Sequence, residues 1–178
     1  MEDGLQSNMI MNLTDASARA RRIKLLLTDC DGVLTDTGVY YGAEGEVLKR
    51  FSIRDGMGVE RLLKICNVET GIITGEISPS VAKRAEKLNI TELHLGVKNK
   101  TERLEAILSR KNLKPEEIAY IGDDVNDLEV LRVVGLAACP ADAMDLIQHA
   151  IHFKCTNSGG NGCFREVAEF IIHSKNKT

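Results

Sequence analysis

The chain has 178 residues, of which 43% are apolar and 28% are charged, and its formal net charge is −3. A chain of this length and composition can bury one full hydrophobic core, which excludes a disordered protein and a small disulfide-stapled one. The acidic net charge argues against a nucleic-acid partner, because a phosphate backbone attracts a basic surface. The sequence contains no run of 18 apolar residues, so no membrane span is predicted.

The N-terminal residues lack the apolar run of a secretory signal. We therefore predict a flexible lead-in over residues 1–20, with Met9 or Met11 as alternative starts, and one domain over 21–178. The five cysteines are odd in number and form no CxxC pair, which favours free thiols over a zinc site or a disulfide framework. Free thiols are typical of a reducing compartment, so we expect a cytoplasmic protein.

Strand and helix patterns alternate along the predicted domain. The aliphatic run over 23–28 predicts a buried strand, and two strand-like pieces around a glycine turn over 39–51 predict a β-hairpin. The alternation that follows predicts an α/β, Rossmann-like doubly wound parallel sheet with a β-hairpin flap. The later predicted strands cover 68–74, 93–97, 118–121, 135–139 and 151–153, and the predicted helices begin near Asp55, Ser78, Asn99, Asp124, Ala143 and Phe164.

Polar side chains directly follow several of the predicted strands. Ligands of parallel sheets bind outside the carboxyl ends of the strands, so we expect these side chains to share one edge of the sheet. Asp29 and Asp31 follow the first strand at a spacing that turns both to the same side. The other candidates on this edge are Thr74, Lys98 or Lys100, Asp123, Asp124 and Asp127.

Such a cluster of carboxylates predicts a divalent cation and phosphoryl chemistry. Crowded carboxylates repel one another without a cation, and an all-oxygen ligand set suits Mg²⁺. A carboxylate such as Asp29 can attack phosphorus, and Asp31 can act as its acid/base partner. Thr74 and Lys100 can stabilise the phosphoryl oxygens, with Lys98 as the alternative lysine. Asp127 lies one helical turn beyond Asp123 and can support the lysine or the metal.

Four segments resemble the motifs of the haloacid dehalogenase superfamily of phosphatases, in the same order. They are LLLTDCDGVLTD (25–36), GIITGE (71–76), GVKNK (96–100) and YIGDDVND (120–127). The resemblance implies a phosphatase that works through an aspartyl-phosphate and requires Mg²⁺. It assigns the nucleophile to Asp29, the acid/base to Asp31, the phosphate ligands to Thr74 and Lys100, the metal ligands to Asp29, Asp31 (through its backbone carbonyl) and Asp123, and supporting roles to Asp124 and Asp127.

Two further segments resemble a narrower family. FSIRDGMGV (51–59) and SGGNGCFREV (158–167) are similar to segments of 3-deoxy-D-manno-octulosonate 8-phosphate phosphatases of lipopolysaccharide biosynthesis and of their nonulosonate relatives. These enzymes lack a cap domain, which fits this chain because residues 36–74 have room only for a hairpin and one helix. The resemblance implies a homotetramer in which the hairpin of one subunit helps to close the site of its neighbour.

The substrate implied by this resemblance is a small sugar-acid phosphate, with no nucleic-acid or membrane partner. The octulosonate enzymes typically carry Arg after ITG and Arg within GGRG, where this chain has Glu76 and Asn161. Glu76, paired with Lys87, resembles the nonulosonate branch, so eight-carbon and nine-carbon substrates both stay open. Either Arg54 or Arg165 would meet the substrate carboxylate. The predicted substrate-binding residues are Arg54, Asp55, Gly56, Gly75, Glu76, Lys87 and Arg165.

Two other functions compete with hydrolysis. A receiver-type signalling module also gathers acids, a threonine and a lysine around Mg²⁺, but its nucleophile follows a later strand than Asp29 does. A non-catalytic phosphatase-like module would lack catalytic residues, whereas every expected position is filled in this chain. Both alternatives therefore rank below the phosphatase.

Overall fold

The computed structural model describes residues 14–176 and has six parallel strands at its centre. The strands are β1 (Leu25–Thr28), β4 (Glu69–Ile73), β5 (Glu92–His94), β6 (Ile118–Ile121), β7 (Leu136–Cys139) and β8 (Phe153–Lys154). Their order in the sheet is β5-β4-β1-β6-β7-β8, so the chain first adds strands on one side of β1 and then on the other. The direction of winding reverses between β1 and β6, and a ligand crevice is expected beyond the carboxyl ends of these two strands.

Helices cover both faces of the sheet. Leu26 packs in a core cluster with the helices of one face, whereas Leu25 and Leu27 pack in a second cluster with those of the other. This alternation is the two-residue period of a strand that is buried on both sides. None of the helices within residues 14–176 is long and apolar enough to cross a bilayer. The helices are α1 (residues 14–20), α2 (Ile53–Cys66), α3 (Pro79–Lys87), α4 (Lys100–Lys111), α5 (Leu128–Val133) and α6 (Cys163–Asn176).

A β-hairpin, here called the flap, interrupts the alternation between β1 and α2. Its strands, β2 (Tyr40–Gly42) and β3 (Gly45–Leu48), pair antiparallel and belong to a separate two-stranded sheet. Tyr40 and Tyr41 are exposed, as is Val47 on the facing strand. Only α2 lies between the flap and β4. The predicted doubly wound sheet and flap are therefore confirmed, and residues 14–176 contain no cap domain.

Two local predictions were wrong. Residues 14–20 of the predicted flexible lead-in are helical, because Ala16 and Ala20 are fully buried in the core cluster that includes α6, while residues 1–13 lie outside the described part. The cap of α2 is Ser52 rather than Asp55, since the Ser52 hydroxyl accepts hydrogen bonds from the backbone N–H groups of Arg54 and Asp55.

The predicted helices near Asp124 and Ala143 are partly or wholly 3₁₀ turns. The first begins as a 3₁₀ turn over Val125–Asp127 before α5, and the second is a 3₁₀ helix over Asp145–Ala150. Apolar spacing does not distinguish these tighter helices from α-helices over such short segments.

Candidate active site

Asp29 continues β1 beyond its last residue and is almost fully buried. Its backbone N–H donates to the Ile121 carbonyl at 2.9 Å, which fixes Asp29 against the end of β6. Its Oδ1 accepts from the Cys30 N–H at 2.7 Å, and its Oδ2 lies 2.8 Å from the Lys100 Nζ. Burial raises the pKa of Asp29, and the charge of Asp127 raises it further, while Lys100 opposes this shift. One carboxylate oxygen is therefore held by the backbone and the other by a lysine.

Lys100 is the lysine that reaches the nucleophile. It is the first residue of α4, and its side chain is only 3% exposed between Asp29 and Asp127, with its Nζ 2.7 Å from the Asp127 Oδ1. Burial lowers the pKa of a lysine, but the two carboxylates outweigh burial and the pKa of Lys100 is raised. Lys98, the alternative, is exposed. Lys100 is therefore a charged group in contact with the candidate nucleophile.

Asp127 is fully buried and holds several groups of the site in place. Its Oδ1 accepts from Lys100 and from the Tyr120 hydroxyl at 2.6 Å, and its Oδ2 accepts from the Asp123 N–H at 3.1 Å. Sequence reasoning missed Tyr120, because a tyrosine in an aliphatic strand is most simply a core residue. These contacts position Asp127 as the group that orients Lys100 and the turn that carries Asp123.

Three carboxylates approach one another closely enough to share a cation. Oxygen atoms of Asp29, Asp123 and Asp127 all lie within 4.8 Å of one another. Burial, followed by the charge of Asp29, raises the pKa of Asp123 to about 7. A hard divalent cation relieves this repulsion, and the donor set of carboxylate oxygens fits Mg²⁺. Asp124 instead caps the turn after β6, where it accepts from the Val125 N–H at 2.6 Å.

Two glycines allow backbone segments to approach this cluster. Gly32 has a φ of +87°, and a Cβ placed on it would lie 2.0 Å from the Asp123 Oδ2. Gly159 packs behind it, and a Cβ there would lie 2.0 Å from the Gly32 carbonyl oxygen. The glycine-rich loop (residues 158–162) therefore packs directly against the backbone of the loop that follows Asp29.

Asp31 contacts the base of the flap and is not one of the three clustered carboxylates. Its Oδ1 accepts from the Lys49 ammonium and, at 3.4 Å, from the Thr35 hydroxyl. Its Oδ2 is buried and has no hydrogen-bond partner among residues 14–176. Sequence reasoning missed Lys49, which reads as a surface charge at the end of a hairpin strand.

Thr74 lies at the same edge of the sheet, just after β4. It is buried, its N–H donates to the His94 carbonyl at 3.0 Å, and its carbonyl accepts from the Val97 N–H at 2.9 Å. Its hydroxyl accepts from the Glu76 N–H at 3.3 Å. Thr74 is thus fixed by its backbone beside the strand that carries Asp29, and its contact with phosphate stays a prediction.

The comparisons with known proteins agree with this geometry. The family model for haloacid dehalogenase-like hydrolases matches residues 72–167. The 3-deoxy-D-manno-octulosonate 8-phosphate phosphatase KdsC of Yersinia pestis is 39% identical over 92% of this chain and 87% of its own length. This chain belongs to the haloacid dehalogenase-like hydrolases.

Solved structures of such phosphatases are similar to this chain as well. The crystal structure of the Yersinia pestis phosphatase has a TM-score of 0.87 at 39% identity and covers 92% of this chain and 88% of its own. A 3-deoxy-D-manno-octulosonate 8-phosphate phosphatase from Moraxella catarrhalis, in complex with a magnesium ion, a phosphate ion and KDO, has a TM-score of 0.86 at 33% identity and covers 90% and 92%. The structural likeness extends over nearly the whole of this hydrolase.

The predicted substrate-binding residues of this haloacid dehalogenase-like hydrolase fall into separate places. Gly75 and Glu76 follow β4 at the active-site edge, and Glu76 is exposed. Lys87 lies in the last turn of α3 and lines a groove of about 540 Å³ together with Gly56 and with Thr70 near the start of β4. Glu76 follows the end of β4, whereas Lys87 on α3 lies near the start of that strand, so the predicted pairing between them is wrong within this subunit.

The three remaining residues of that set lie at or near α2 and α6. The buried Asp55 Oδ1 accepts from the Arg165 N–H at 2.9 Å, so Asp55 joins the two helices within the hydrolase core. The Arg165 side chain donates to Glu169 at 2.7 Å. Arg54 is exposed in the first turn of α2. The contacts of Asp55 are those of a packing residue, whereas the role of the exposed Arg54 stays a prediction.

Proposed function

We propose that this chain is a Mg²⁺-dependent phosphatase of 3-deoxy-D-manno-octulosonate 8-phosphate that works through an aspartyl-phosphate. The main support for this proposal is that two carboxylates, two residues apart in sequence, have different surroundings. Asp29 lies against Lys100 within the carboxylate cluster, and Asp31 lies outside it with one free oxygen. The similar proteins from Yersinia pestis and Moraxella catarrhalis are phosphatases of 3-deoxy-D-manno-octulosonate 8-phosphate, which supports this substrate.

In the first step Asp29 attacks phosphorus. A bond forms between the Asp29 carboxylate and phosphorus while the bond from phosphorus to the sugar oxygen breaks, and protonated Asp31 gives its proton to the departing alkoxide. Lys100 and the Thr74 hydroxyl would stabilise the negative charge on the equatorial oxygens. The backbone N–H of Cys30 holds the other oxygen of Asp29 in place.

In the second step water regenerates the enzyme. Asp31, now ionised, takes a proton from a water molecule whose oxygen attacks phosphorus, and the bond to Asp29 breaks to release inorganic phosphate. The same carboxyl group therefore serves as acid and then as base, which returns both aspartates to their starting states.

The cation would be held by Asp29, Asp123 and the backbone carbonyl of Asp31, with Asp127 and Asp124 as supports. When bound, Mg²⁺ offsets the repulsion among the carboxylates and polarises the phosphoryl group. Asp127 is already engaged by Lys100, Tyr120 and the Asp123 N–H, which supports an orienting role for it rather than ligation.

We also propose that the enzyme is a cytoplasmic homotetramer. The flap exposes Tyr40, Tyr41 and Val47, and Ile53 at the start of α2 is 83% exposed. Apolar side chains gathered on a projecting hairpin support burial against a second copy of the chain. Four of the five thiols are buried and none forms a disulfide, which supports a reducing compartment.

Phosphate release by the purified protein tests the proposal. With Mg²⁺ we expect turnover of 3-deoxy-D-manno-octulosonate 8-phosphate in preference to a nonulosonate 9-phosphate. The reverse preference would favour the alternative substrate, and Glu76 at the active-site edge would then be its first candidate contact. A folded wild-type protein that turns over neither compound contradicts the proposal. An aspartyl-phosphate that persists for minutes after acetyl-phosphate treatment would favour the receiver-type module instead.

A further inference from the structure

Lys49 is a buried lysine at the base of an exposed hairpin. It follows β3, whose last residues Val47 and Leu48 are exposed, yet its own side chain is only 1% exposed. Removing an ammonium group from water is costly unless partners offset the loss, so a lysine in such a place requires anionic contacts. The flap therefore turns a charge inward at the point where it rejoins the domain.

The partners of Lys49 connect the flap to two strand ends of the sheet. Its Nζ contacts the Asp31 Oδ1 and lies 3.6 Å from the Glu46 Oε2. Glu46 in turn accepts a hydrogen bond from the Ser78 hydroxyl, which also caps α3. A chain of polar contacts thus runs from Asp31 through the flap to the helix that follows β4.

These contacts make the two oxygens of Asp31 unequal. Lys49 and Thr35 occupy Oδ1, whereas Oδ2 is buried and has no partner within the described residues. A buried carboxylate oxygen without a donor loses its hydration and gains nothing in return. Proton exchange with a reacting oxygen would satisfy Oδ2, because the protonated form needs an acceptor and the ionised form needs a donor.

We propose that Lys49 is a positioning residue for proton transfer in the phosphatase reaction, an inference that rests on the proposed function. By holding Oδ1 it directs Oδ2 of Asp31 toward the oxygen that leaves phosphorus and then toward the attacking water. The Lys49 ammonium meets the carboxylates of Asp31 and Glu46, so it would act on the reaction through Asp31. The placement of the flap and the orientation of the acid/base group are then coupled through Lys49.

The proposal predicts a dependence on the leaving group. A sugar alkoxide needs the proton of Asp31 as its bond to phosphorus breaks, whereas p-nitrophenolate is stable without one. Loss of orientation at Oδ2 should therefore slow phosphorylation of Asp29 by the sugar phosphate and spare phosphorylation by p-nitrophenyl phosphate. Hydrolysis of the aspartyl-phosphate uses Asp31 as a base for both substrates and should slow equally.

Lys49→Met is the principal test, with Lys83→Met as the control on the exposed surface of α3. For Lys49→Met we expect kcat on the sugar phosphate to fall by roughly 10–100-fold, within the range of general acid/base effects, and KM to change by less than about threefold. The rapid first turnover of p-nitrophenyl phosphate, followed by stopped-flow absorbance, should keep its wild-type rate before a slow steady state. Lys83→Met should match the wild type throughout.

Lys49→Gln supplies the matched polar variant and covers a failure of Lys49→Met to fold, which circular dichroism would detect. A glutamine amide can still donate to the Asp31 Oδ1, so its kcat on the sugar phosphate should lie between those of the wild type and Lys49→Met. Equal losses on both substrates in the first turnover would overturn the positioning role, as would wild-type kinetics in either variant. A wild-type protein inactive on both substrates would instead refute the proposed function itself.

Discussion

The sheet edge and the flap both place a lysine against an aspartate, but they are built differently. At the sheet edge Lys100 lies between Asp29 and Asp127, and the main chain and Tyr120 fix those carboxylates further. At the flap Lys49 meets Asp31 from a two-stranded hairpin whose other side chains mostly face outward. The sheet edge is preformed by the core, whereas the flap depends on a few polar contacts.

This difference assigns different tasks to the two regions. A preformed edge can stabilise charge on a phosphoryl group without reorganisation, which is the larger part of phosphoryl-transfer catalysis. A flap that is joined to the domain by polar contacts can align the acid/base group beside a bound sugar. Changes at the sheet edge should therefore affect chemistry and stability together, and changes at the flap should affect chemistry or assembly with little effect on stability.

The largest effect is expected at the nucleophile. Asp29→Asn keeps the shape of the side chain but removes the attacking carboxylate, so kcat should fall by roughly 10³-fold or more. Asp145→Asn, on the exposed 3₁₀ helix, is the matched control and should retain wild-type turnover. Phosphate release under saturating substrate measures both variants. Comparable activity of Asp29→Asn and the wild type would place the nucleophile elsewhere.

A large loss of stability is expected at Asp127. Asp127→Ala leaves Lys100, Tyr120 and the Asp123 N–H each without one buried acceptor, while it relieves repulsion with Asp29. The balance should lower the free energy of unfolding by about 2–4 kcal/mol. Tyr120→Phe removes one of these hydrogen bonds and should cost about 1 kcal/mol. Urea unfolding measures both, and a larger loss for Tyr120→Phe would contradict the central role of Asp127.

The stabilising effect of Mg²⁺ should grow with pH. Burial, followed by the charge of Asp29, raises the pKa of Asp123 from 3.8 to about 7 in the metal-free fold. A carboxyl group with a raised pKa binds more protons folded than unfolded, so the contribution of Asp123 to the stability of the metal-free protein is lost as pH rises from about 4 to 7. Protons compete with Mg²⁺ below pH 7, and ionised carboxylates bind it above.

Thermal unfolding with and without Mg²⁺ measures this dependence. The rise in Tm caused by Mg²⁺ should be greater at pH 8 than at pH 5.5, and Asp123→Asn should reduce it at both. A Tm rise that is larger at the lower pH would contradict the assignment of these carboxylates as the binding site.

The smallest effect on folding is expected at the tip of the flap. Tyr41 is 73% exposed, so Tyr41→Ser should change the free energy of unfolding of the isolated subunit by less than about 0.5 kcal/mol. The same change should weaken the proposed tetramer, because it removes an apolar contact between copies. Sedimentation velocity measures the assembly, with Val133→Ser on α5 as an exposed apolar control. If Tyr41→Ser assembles as the wild type does, the flap is not part of the subunit interface.

Much of the fold and of the sheet edge could be predicted from local patterns. The aliphatic run of β1 ends at Asp29 because a strand buried on both faces reads as continuous apolar residues, and the same holds for β6 before Asp123. Parallel strands bring their carboxyl ends together, so Asp29, Lys100 and Asp123 could be placed at one edge without coordinates. Short 3₁₀ segments and the cap at Ser52 depend on dihedral details that apolar spacing does not carry.

The contacts of the flap could not be predicted in the same way. Lys49 follows a hairpin strand, where lysines are usually solvated, and its contact with Asp31 depends on how the hairpin packs on the domain. The sequence gives no indication of the role of Tyr120, because the turn after β6 is what brings Asp127 to its hydroxyl. Helix α1 was missed because Ala16 and Ala20 make a short apolar stripe that becomes informative only beside α6.

Because Gly159 packs closely on Gly32, a segment that is distant in sequence can influence the metal site. Any side chain at position 159 would push the Gly32 carbonyl forward, and Gly32 already touches the Asp123 carboxylate. Magnesium affinity could therefore be altered by a residue that is neither a ligand nor a neighbour of one in sequence. A mutational scan for weakened cation binding should recover substitutions in the glycine-rich loop as well as in the acidic cluster.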